Sequence, residues 1–337
     1  MSIVIKNLSF TYSRNTPYEK KALDNINLEI NEGDFLGIIG HTGSGKSTFI
    51  QHINGLIKPQ EGEIEIFDIK LTPAKRPRVD LKALRSQVGM VFQYPEYQLF
   101  ADTVEKDVAF GPKNLGLPAD EIKERVKQAI EMVGLDYEAV KDRAPFELSG
   151  GQKRRVAIAG IIAMRPKMLI LDEPTAGLDP YGKEQILNLI VHLKKYCSPT
   201  IVVISHDIDE ITRFATRIVV FNDSKIVYDE PMRELFKRSH MLNQMGLDIP
   251  RAVKIANALR YKGIDVSDDI VTAEDLLKEV VRLYNKRHNT EKNADGVSFD
   301  LYDFSQKWAA ADDNASASEN MPAPDADNIT PTDKHSE

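Results

Sequence analysis

Several features that mark secreted or membrane-spanning proteins are missing from this 337-residue sequence. Its one cysteine, Cys197, excludes an internal disulfide and fits a reducing compartment. The longest apolar run, residues 156–164, is far shorter than the roughly 18–20 residues that span a bilayer. The first residues lead straight into a strand-like alternation, so no signal peptide is expected. These absences predict a chain that is soluble or peripheral to a membrane.

Charge is distributed unevenly along the sequence. The net charge is −7, yet residues from Glu291 onward hold eleven acidic and three basic side chains. Residues 1–290 therefore hold 41 basic and 40 acidic side chains and are close to neutral. There is no basic stripe, no set of zinc-binding cysteines and no long heptad segment, so the sequence does not favour a nucleic-acid-binding protein.

Three zones follow one another. Residues 1–230 alternate β-rich runs with amphipathic helices and predict an α/β domain, with a helical insertion at about residues 95–165. Residues 231–287 are predicted to be helical, with one helix between Pro250 and Gly263 and another that begins at Thr272. Residues 288–337 are acidic and rich in small polar residues, which predicts a disordered tail in which the aromatic residues of segment 299–308 could dock locally.

A phosphate-binding loop is predicted between a buried-strand run, residues 35–39, and a helix. Glycine lets successive N–H groups point at one anion, and the helix N-terminus adds a positive partial charge. Lys46 would contact the β- and γ-phosphates, and Ser47 would give its hydroxyl to Mg²⁺. A Gly-rich turn before an ordinary helix is the alternative, and the match alone identifies no reaction. The loop residues are Gly40, His41, Thr42, Gly43, Ser44, Gly45, Lys46, Ser47 and Thr48.

A second buried-strand run, residues 168–171, ends in Asp172 and Glu173. In α/β sheets, ligands bind where parallel strands have their carboxyl ends. Asp172 would hold the metal ion through water, and Glu173 would act as general base toward the attacking water. A solvated acidic pair at the end of a strand is the alternative.

A second anion cradle is predicted at the start of another helix, from Ser149, Gly150, Gly151 and Gln152. In their order and spacing, the loop, this cradle and the acidic pair resemble the ATPase subunit of an ATP-binding-cassette (ABC) machine. The resemblance implies an α/β fold: a P-loop NTPase of the ABC nucleotide-binding-domain type, with a helical subdomain insertion and a small helical C-terminal domain. It also implies that the cradle completes the ATP site of a partner, so that two subunits sandwich two ATP molecules.

The same resemblance implies roles for four further residues. His206, 33 residues after Glu173, would contact the γ-phosphate and position the water, although a lone histidine there could be a cap. Gln93 would reach Mg²⁺ and the water, with an isolated polar residue at the end of a strand as the alternative, and Asp179 would run along the dimer seam. Tyr12 would stack on adenine, with core packing as its alternative.

Longer stretches resemble an energy-coupling factor (ECF) transporter ATPase: residues 40–43, 51–56, 93–100, 103–112 and 148–160. His41-Thr42 and residues 172–177 look like the second of its two ATPase subunits. The likeness covers about residues 1–285. It implies ATP and Mg²⁺ as cofactors and a peripheral location on the cytoplasmic face of the cell membrane.

The implied partners are a second, non-identical ABC ATPase, a transmembrane coupling subunit and a substrate-capturing membrane subunit, which together import vitamins or cobalt and nickel ions. Residues 93–100 would form the coupling surface, where charge reversal at Glu96 is expected to uncouple hydrolysis from uptake. Residues 231–287 would hold the ATPase pair together. A soluble ABC-type ATPase acting on nucleic acid or ribosomes is the alternative function, and a P-loop kinase would leave residues 148–152 unexplained.

Overall fold

Two β-sheets lie at the centre of the fold. The structure is a computed structural model that describes residues 2–73, 79–196 and 200–291. Its strands are β1 (Ser2–Tyr12), β2 (Lys20–Asn31), β3 (Phe35–Gly40), β4 (Glu61–Ile66), β5 (Ile69–Leu71), β6 (Val88–Val91), β7 (Met168–Asp172), β8 (Thr200–Ile204), β9 (Arg217–Asn222) and β10 (Lys225–Pro231). One sheet is antiparallel with the order β2-β1-β4-β5, and the other has the order β10-β9-β3-β8-β7-β6.

The six-stranded sheet is parallel except for its edge strand β10, which pairs with β9 in antiparallel fashion. Its inner strands are apolar on both faces, as buried parallel strands must be, and β8 is buried along its whole length. Ile204 of β8 lies opposite Ile38 of β3 and Asp172 of β7. The carboxyl ends of these three strands therefore lie at one edge of the sheet.

In sequence, the described helices lie between strands or after the last strand. They are α1 (Lys46–Ile53), α2 (Leu81–Gln87), α3 (Val104–Val108), α4 (Phe110–Leu115), α5 (Ala119–Met132), α6 (Tyr137–Val140), α7 (Gly150–Ile162), α8 (Pro180–Tyr196), α9 (Ile208–Thr212), α10 (Met232–Lys237), α11 (Ser239–Gln244), α12 (Arg251–Tyr261) and α13 (Ala273–Glu291), with two 3₁₀ turns, η1 (Pro95–Gln98) and η2 (Pro145–Glu147). Helices α3 to α7 lie between β6 and β7 and form the predicted insertion, so the expected fold class is confirmed. No helix among the described residues is both long and apolar enough to cross a bilayer.

The predicted C-terminal helices are present. Helix α12 follows Pro250 and ends shortly before Gly263, which has the left-handed φ of 79°. Thr272 and Asp275 cap α13 reciprocally, with side-chain-to-backbone bonds of 3.1 and 3.0 Å. Residues up to Leu277 form one packing unit and Lys278 begins a second. Helix α13 extends to Glu291, and the rest of the predicted tail, including segment 299–308, lies outside the described residues.

A buried arginine joins the helical insertion to the loop after β7. Arg154 of α7 is 1% exposed. Its Nε and Nη2 donate to the Glu96 carboxylate of η1 at 3.0 and 2.8 Å, and its Nη1 donates to the carbonyls of Pro174 and Ala176 at 3.1 and 2.9 Å. Burial opposes ionisation of Glu96, but the bonds from Arg154 bring the pKa of Glu96 below its ordinary value. Every partner is needed because an unpaired buried charge is costly.

Glu96→Ala is expected to lower the free energy of unfolding by about 3 kcal/mol, because it leaves the Arg154 guanidinium buried without its carboxylate. Chemical denaturation measures the loss. Glu61→Ala is the control, because the ion pair of Glu61 with Arg14 is exposed and should contribute little. Equal losses in the two variants would show that the buried pair has no special role.

Candidate active site

One cavity of about 670 Å³ collects most of the predicted site residues. It opens at the sheet edge where β3, β7 and β8 end, so the strand register brings together side chains that are far apart in sequence. The predicted residues that line it are Tyr12, Gly40, His41, Thr42, Gly43, Gly45, Lys46, Ser47, Thr48, Gln93, Asp172, Glu173 and His206.

The loop between β3 and α1 depends on glycine at two positions. Gly40 and Gly45 have φ values of 149° and 110°, which favour glycine. A Cβ at Gly40 would stand 2.3 Å from the Phe221 carbonyl oxygen, and one at Gly45 would stand 2.4 Å from that of Ala22. The backbone of the loop is therefore packed tightly against its neighbours. Ser44 lies outside the cavity lining, and its buried Oγ has no hydrogen-bond partner among the described residues.

Besides Lys20, the cavity is lined by one lysine of the phosphate loop itself, Lys46. Its Nζ donates to the carbonyl oxygens of Gly40 and His41 at 2.6 and 2.8 Å. Burial lowers the pKa of Lys46, while the charges of Glu173 and Asp172 oppose that shift. A cation and a helix N-terminus at the same loop suit a polyphosphate anion.

The two carboxylates at the end of β7 have different surroundings. Burial, and then the charge of Glu173, raise the pKa of Asp172 to about 6, although Lys46 acts in the opposite direction. Glu173 has a left-handed φ of 50°, which is uncommon outside glycine and is a form of strain found at functional sites. Its Oε2 accepts a 2.7 Å hydrogen bond from Nδ1 of His206. This bond fixes a proton on Nδ1 and orients the imidazole ring.

A buried glutamate that sequence reasoning missed supports these loops. Glu210 of α9 is 6% exposed. Its carboxylate accepts bonds from Thr175 Oγ1 at 2.6 Å, Lys183 Nζ at 3.1 Å and Ser205 Oγ at 3.4 Å. It therefore connects the residues after Glu173 with the residue before His206. Its position four residues after His206 is visible in the sequence, but nothing there signals that it is buried.

Tyr12 lies beside the helix that follows the loop. Its hydroxyl is 3.2 Å from Oγ1 of Thr48, and its ring packs edge-on against Phe10. The side chain is still 40% exposed and lines the cavity, so part of the ring is available to a ligand. Tyr12 therefore packs in part against its own chain, while the rest of its ring could still stack on a ligand.

Besides Ser44, five predicted residues do not line this cavity: Ser149, Gly150, Gly151, Gln152 and Asp179. Ser149 and Gln152 cap α7 reciprocally, and Asp179 accepts the Gly182 N–H at 3.0 Å. A Cβ at Gly150 or Gly151 would meet no other described residue within 4 Å, and neither glycine has a positive φ. Neither packing nor backbone conformation within this chain therefore requires glycine at the start of α7.

Three oxygen-bearing side chains could hold a divalent cation. Ser47, Gln93 and Asp172 come from the loop, the end of β6 and the end of β7, and all three line the cavity. Hydroxyl, amide and carboxylate oxygens are ligands that suit Mg²⁺, either directly or through water. The residues present therefore fit this ion.

Comparison with known proteins agrees with this geometry. The model of the ABC transporter family matches residues 23–176. The energy-coupling factor transporter ATP-binding protein EcfA2 of Clostridium perfringens is 52% identical over 288 residues, which cover 85% of this chain and 100% of the relative. EcfA2 of Clostridium tetani is 50% identical over 287 residues, 85% of this chain and 99% of the relative.

Solved structures of ABC proteins are also similar to this chain in fold and sequence. CbiO1 of Clostridium perfringens, described as part of the ABC transporter complex cbiONQ, is 37% identical with a TM-score of 0.63 over 76% of this chain and 98% of its own. The cassette MJ0796, solved as a dimer bound to ADP and Pi, is 34% identical with a TM-score of 0.60 over 68% of this chain and 99% of its own. The fold and the site define an ABC-type ATPase. Within that class, the chain belongs to the EcfA2 family of energy-coupling factor transporter ATP-binding proteins.

Asp172→Asn is expected to raise the free energy of unfolding of the nucleotide-free protein near pH 7 by on the order of 2 kcal/mol. The folded-state pKa of Asp172 is about 6, above the ordinary value of 3.8, so the folded state loses stability as the pH rises between these values. The gain in the variant should therefore shrink toward zero as the pH falls to about 4.

Chemical denaturation at several pH values measures this gain. Asp120→Asn, at an exposed position in the first turn of α5, is the control and should change little. A gain that does not depend on pH would contradict the assigned cause.

Proposed function

We propose that this chain is one half of an ATPase pair in which each ATP lies between two subunits. The observation that carries this proposal is the position of the second cradle. Ser149 to Gln152 lie outside the cavity that holds Lys46 and Glu173, and a Cβ added at either glycine would meet no other part of the described chain within 4 Å. Glycine there is explained if the backbone of α7 must approach the γ-phosphate on the partner's loop. MJ0796, solved as a dimer with ADP and Pi, offers a parallel.

The side chains of the cavity divide the chemistry of hydrolysis. The N–H groups of the loop and Lys46 bind the β- and γ-phosphates, and Tyr12 stacks on the adenine. Glu173 accepts the proton of the attacking water, while His206, oriented by Glu173, contacts the γ-phosphate. Ser47, Gln93 and Asp172 would hold the Mg²⁺ ion, directly or through water. A bound Mg²⁺ would neutralise charge that develops on the transferred phosphoryl group.

The pair would energise an importer from the cytoplasmic face of the cell membrane as a peripheral subunit. Relatives that carry the EcfA2 name are ATP-binding proteins of energy-coupling factor transporters, and CbiO1 is described as part of a transporter complex. We infer a non-identical second ATPase, a transmembrane coupling subunit and a substrate-capturing membrane subunit. The cargo would be a vitamin, or a cobalt or nickel ion. Asp179 would lie at the seam of the ATPase pair, and residues 231–287 would hold the pair together.

An apolar groove of about 460 Å³ is the proposed docking surface for the transmembrane partner. Phe100 and Phe110 meet edge to face at 4.9 Å on its wall and are 66% and 50% exposed. Asp107 accepts the N–H groups of Phe100 and Ala101 at 2.8 and 2.9 Å and so fixes the loop. Exposed aromatic side chains beside a groove suit the apolar face of a helix.

The position of Glu96 changes the expectation for that residue. Its side chain is only 16% exposed and is held by Arg154. Charge reversal there would place two cations together in a buried site, so the first consequence is loss of stability. The coupling surface is better tested at Phe100.

The split site is tested in the complex with the partner ATPase. Glu173→Gln should slow hydrolysis at this chain's own loop by at least about 100-fold while ATP binding persists. Ser149→Arg should leave ATP binding at this chain's phosphate loop intact. It should block hydrolysis of the ATP that is bound at the partner's phosphate loop. Each variant alone should therefore leave one working site, and the two substitutions combined in one chain should silence both.

Photocrosslinking of an azido-ATP to each chain and the rate of phosphate release measure binding and turnover. Asn188→Arg, at an exposed position on α8, is the control. Normal turnover at the partner's loop with Ser149→Arg would refute the split site.

Phe100→Ser is expected to reduce cargo uptake by about tenfold or more, because it removes an aromatic anchor from the groove. Hydrolysis by the ATPase pair without its membrane partners should stay close to normal. Tyr18→Ser, at an 84% exposed position between β1 and β2, is the control. Uptake into reconstituted vesicles measures the effect, and unchanged uptake would remove the groove from the coupling surface.

A further inference from the structure

The C-terminal segment reaches back to the cavity at residues 245–251, here called the strap. Gly246, Leu247 and Asp248 line the same cavity as the phosphate loop and His206. The strap therefore forms a wall of the site although it follows the last strand of the sheet. No residue of the strap has a part in the ATP hydrolysis proposed above.

His41 anchors the first end of the strap. Its Nε2 lies 2.7 Å from the carbonyl oxygen of Met245, and because a carbonyl only accepts, Nε2 donates. The ring also packs against Gly246, which has a φ of 71° and whose Cβ, if present, would lie 3.4 Å from the ring. The second residue of the phosphate loop is thus joined directly to the C-terminal segment.

Asp209 anchors the other end. Helix α12 has Pro250 at its N-cap, and a proline side chain cannot cap a helix. The Asp209 carboxylate of α9 takes over this function: it accepts the Arg251 N–H at 2.8 Å and lies 3.0 Å from the Arg251 guanidinium. Helix α9 begins two residues after His206, so this anchor holds the helix that directly follows that histidine.

An apolar contact joins the same elements between the two anchors. Leu247 is buried in one cluster with Ile39, the residue before the phosphate loop, and with Ile208, the first residue of α9. Their exposures are 7%, 1% and 7%. The strap is thus fixed at both ends and in the middle to the loop that binds phosphate and to the helix that follows His206.

We propose that the strap sets the position of His206 relative to the phosphate loop, with His41 and Asp209 as positioning residues for hydrolysis. The proposal rests on the function proposed above for this cavity. A displacement of about 1 Å of a positioned group can cost up to about 100-fold in rate, so release of either anchor should slow the chemical step more than it weakens ATP binding. Because both anchors hold one segment, release of the second should add little.

The test uses this chain in complex with its partner ATPase and compares His41→Phe, Asp209→Ala and the double variant. Each single variant should lower kcat by about tenfold with the Kd for ATP changed less than about twofold. The double variant should also stay near tenfold, whereas independent effects would multiply to about 100-fold. Asp209→Asn keeps an acceptor for the Arg251 N–H and should stay within about twofold of the wild type.

Hydrogen exchange supplies a readout besides activity. ATP should slow exchange at the amide of Arg251 in the wild type, and His41→Phe should abolish that protection. His192→Phe and Asp120→Ala, at exposed positions on α8 and α5, are the matched controls.

Three results would each overturn the proposed role of the strap. These are single variants with the kcat of the wild type, a double variant whose loss is the product of the two single losses, and an Asp209→Asn variant as slow as Asp209→Ala. Glu173→Gln in the same assay separates the two proposals. If it loses hydrolysis while the anchor variants behave as wild type, only the strap fails. If Glu173→Gln hydrolyses normally, the site assignment fails.

Discussion

The pairing of β3, β8 and β7 brings Ile38, Ile204 and Asp172 to the same level of the six-stranded sheet. The rest of the site depends on this alignment. Because the strands are parallel, each leaves the sheet at the same edge, and the segment that follows each strand can reach one cavity. The phosphate loop, the acidic pair and His206 are each short continuations of a buried strand, so a rigid sheet fixes functional groups that are otherwise carried by loops.

The cavity at this edge of the six-stranded sheet brings charged side chains together where they are partly buried. Lys46, Asp172 and Glu173 share it, and burial shifts the pKa of Lys46 downward and that of Asp172 upward. Glu173 adds a left-handed backbone conformation. Such features oppose folding and are retained where a site must stabilise charge on a bound group. The surrounding structure compensates with bonds of long sequence separation, such as the four that Arg154 donates.

Much of the fold could be predicted from local patterns. The strand runs, the glycines of the phosphate loop and the starts of α7 and α13 each depend on neighbouring residues, and the structure has them where they were expected. Glu96 shows the limit of this reasoning. The resemblance of residues 93–100 to a transporter ATPase placed it on a coupling surface, but a guanidinium 58 residues away holds its carboxylate in a nearly buried pair.

The sequence by itself determined which segments are strands and helices and which residue types could bind phosphate, because backbone conformation and the chemistry of a motif are short-range properties. Only the tertiary structure decided that Glu210 is buried between the segments that follow β7 and β8, that Asp209 caps a helix 42 residues away, and that Met245 receives a hydrogen bond from His41. Such contacts follow from how elements pack in three dimensions, and neither hydrophobic periodicity nor motif spacing records the partner that packing selects.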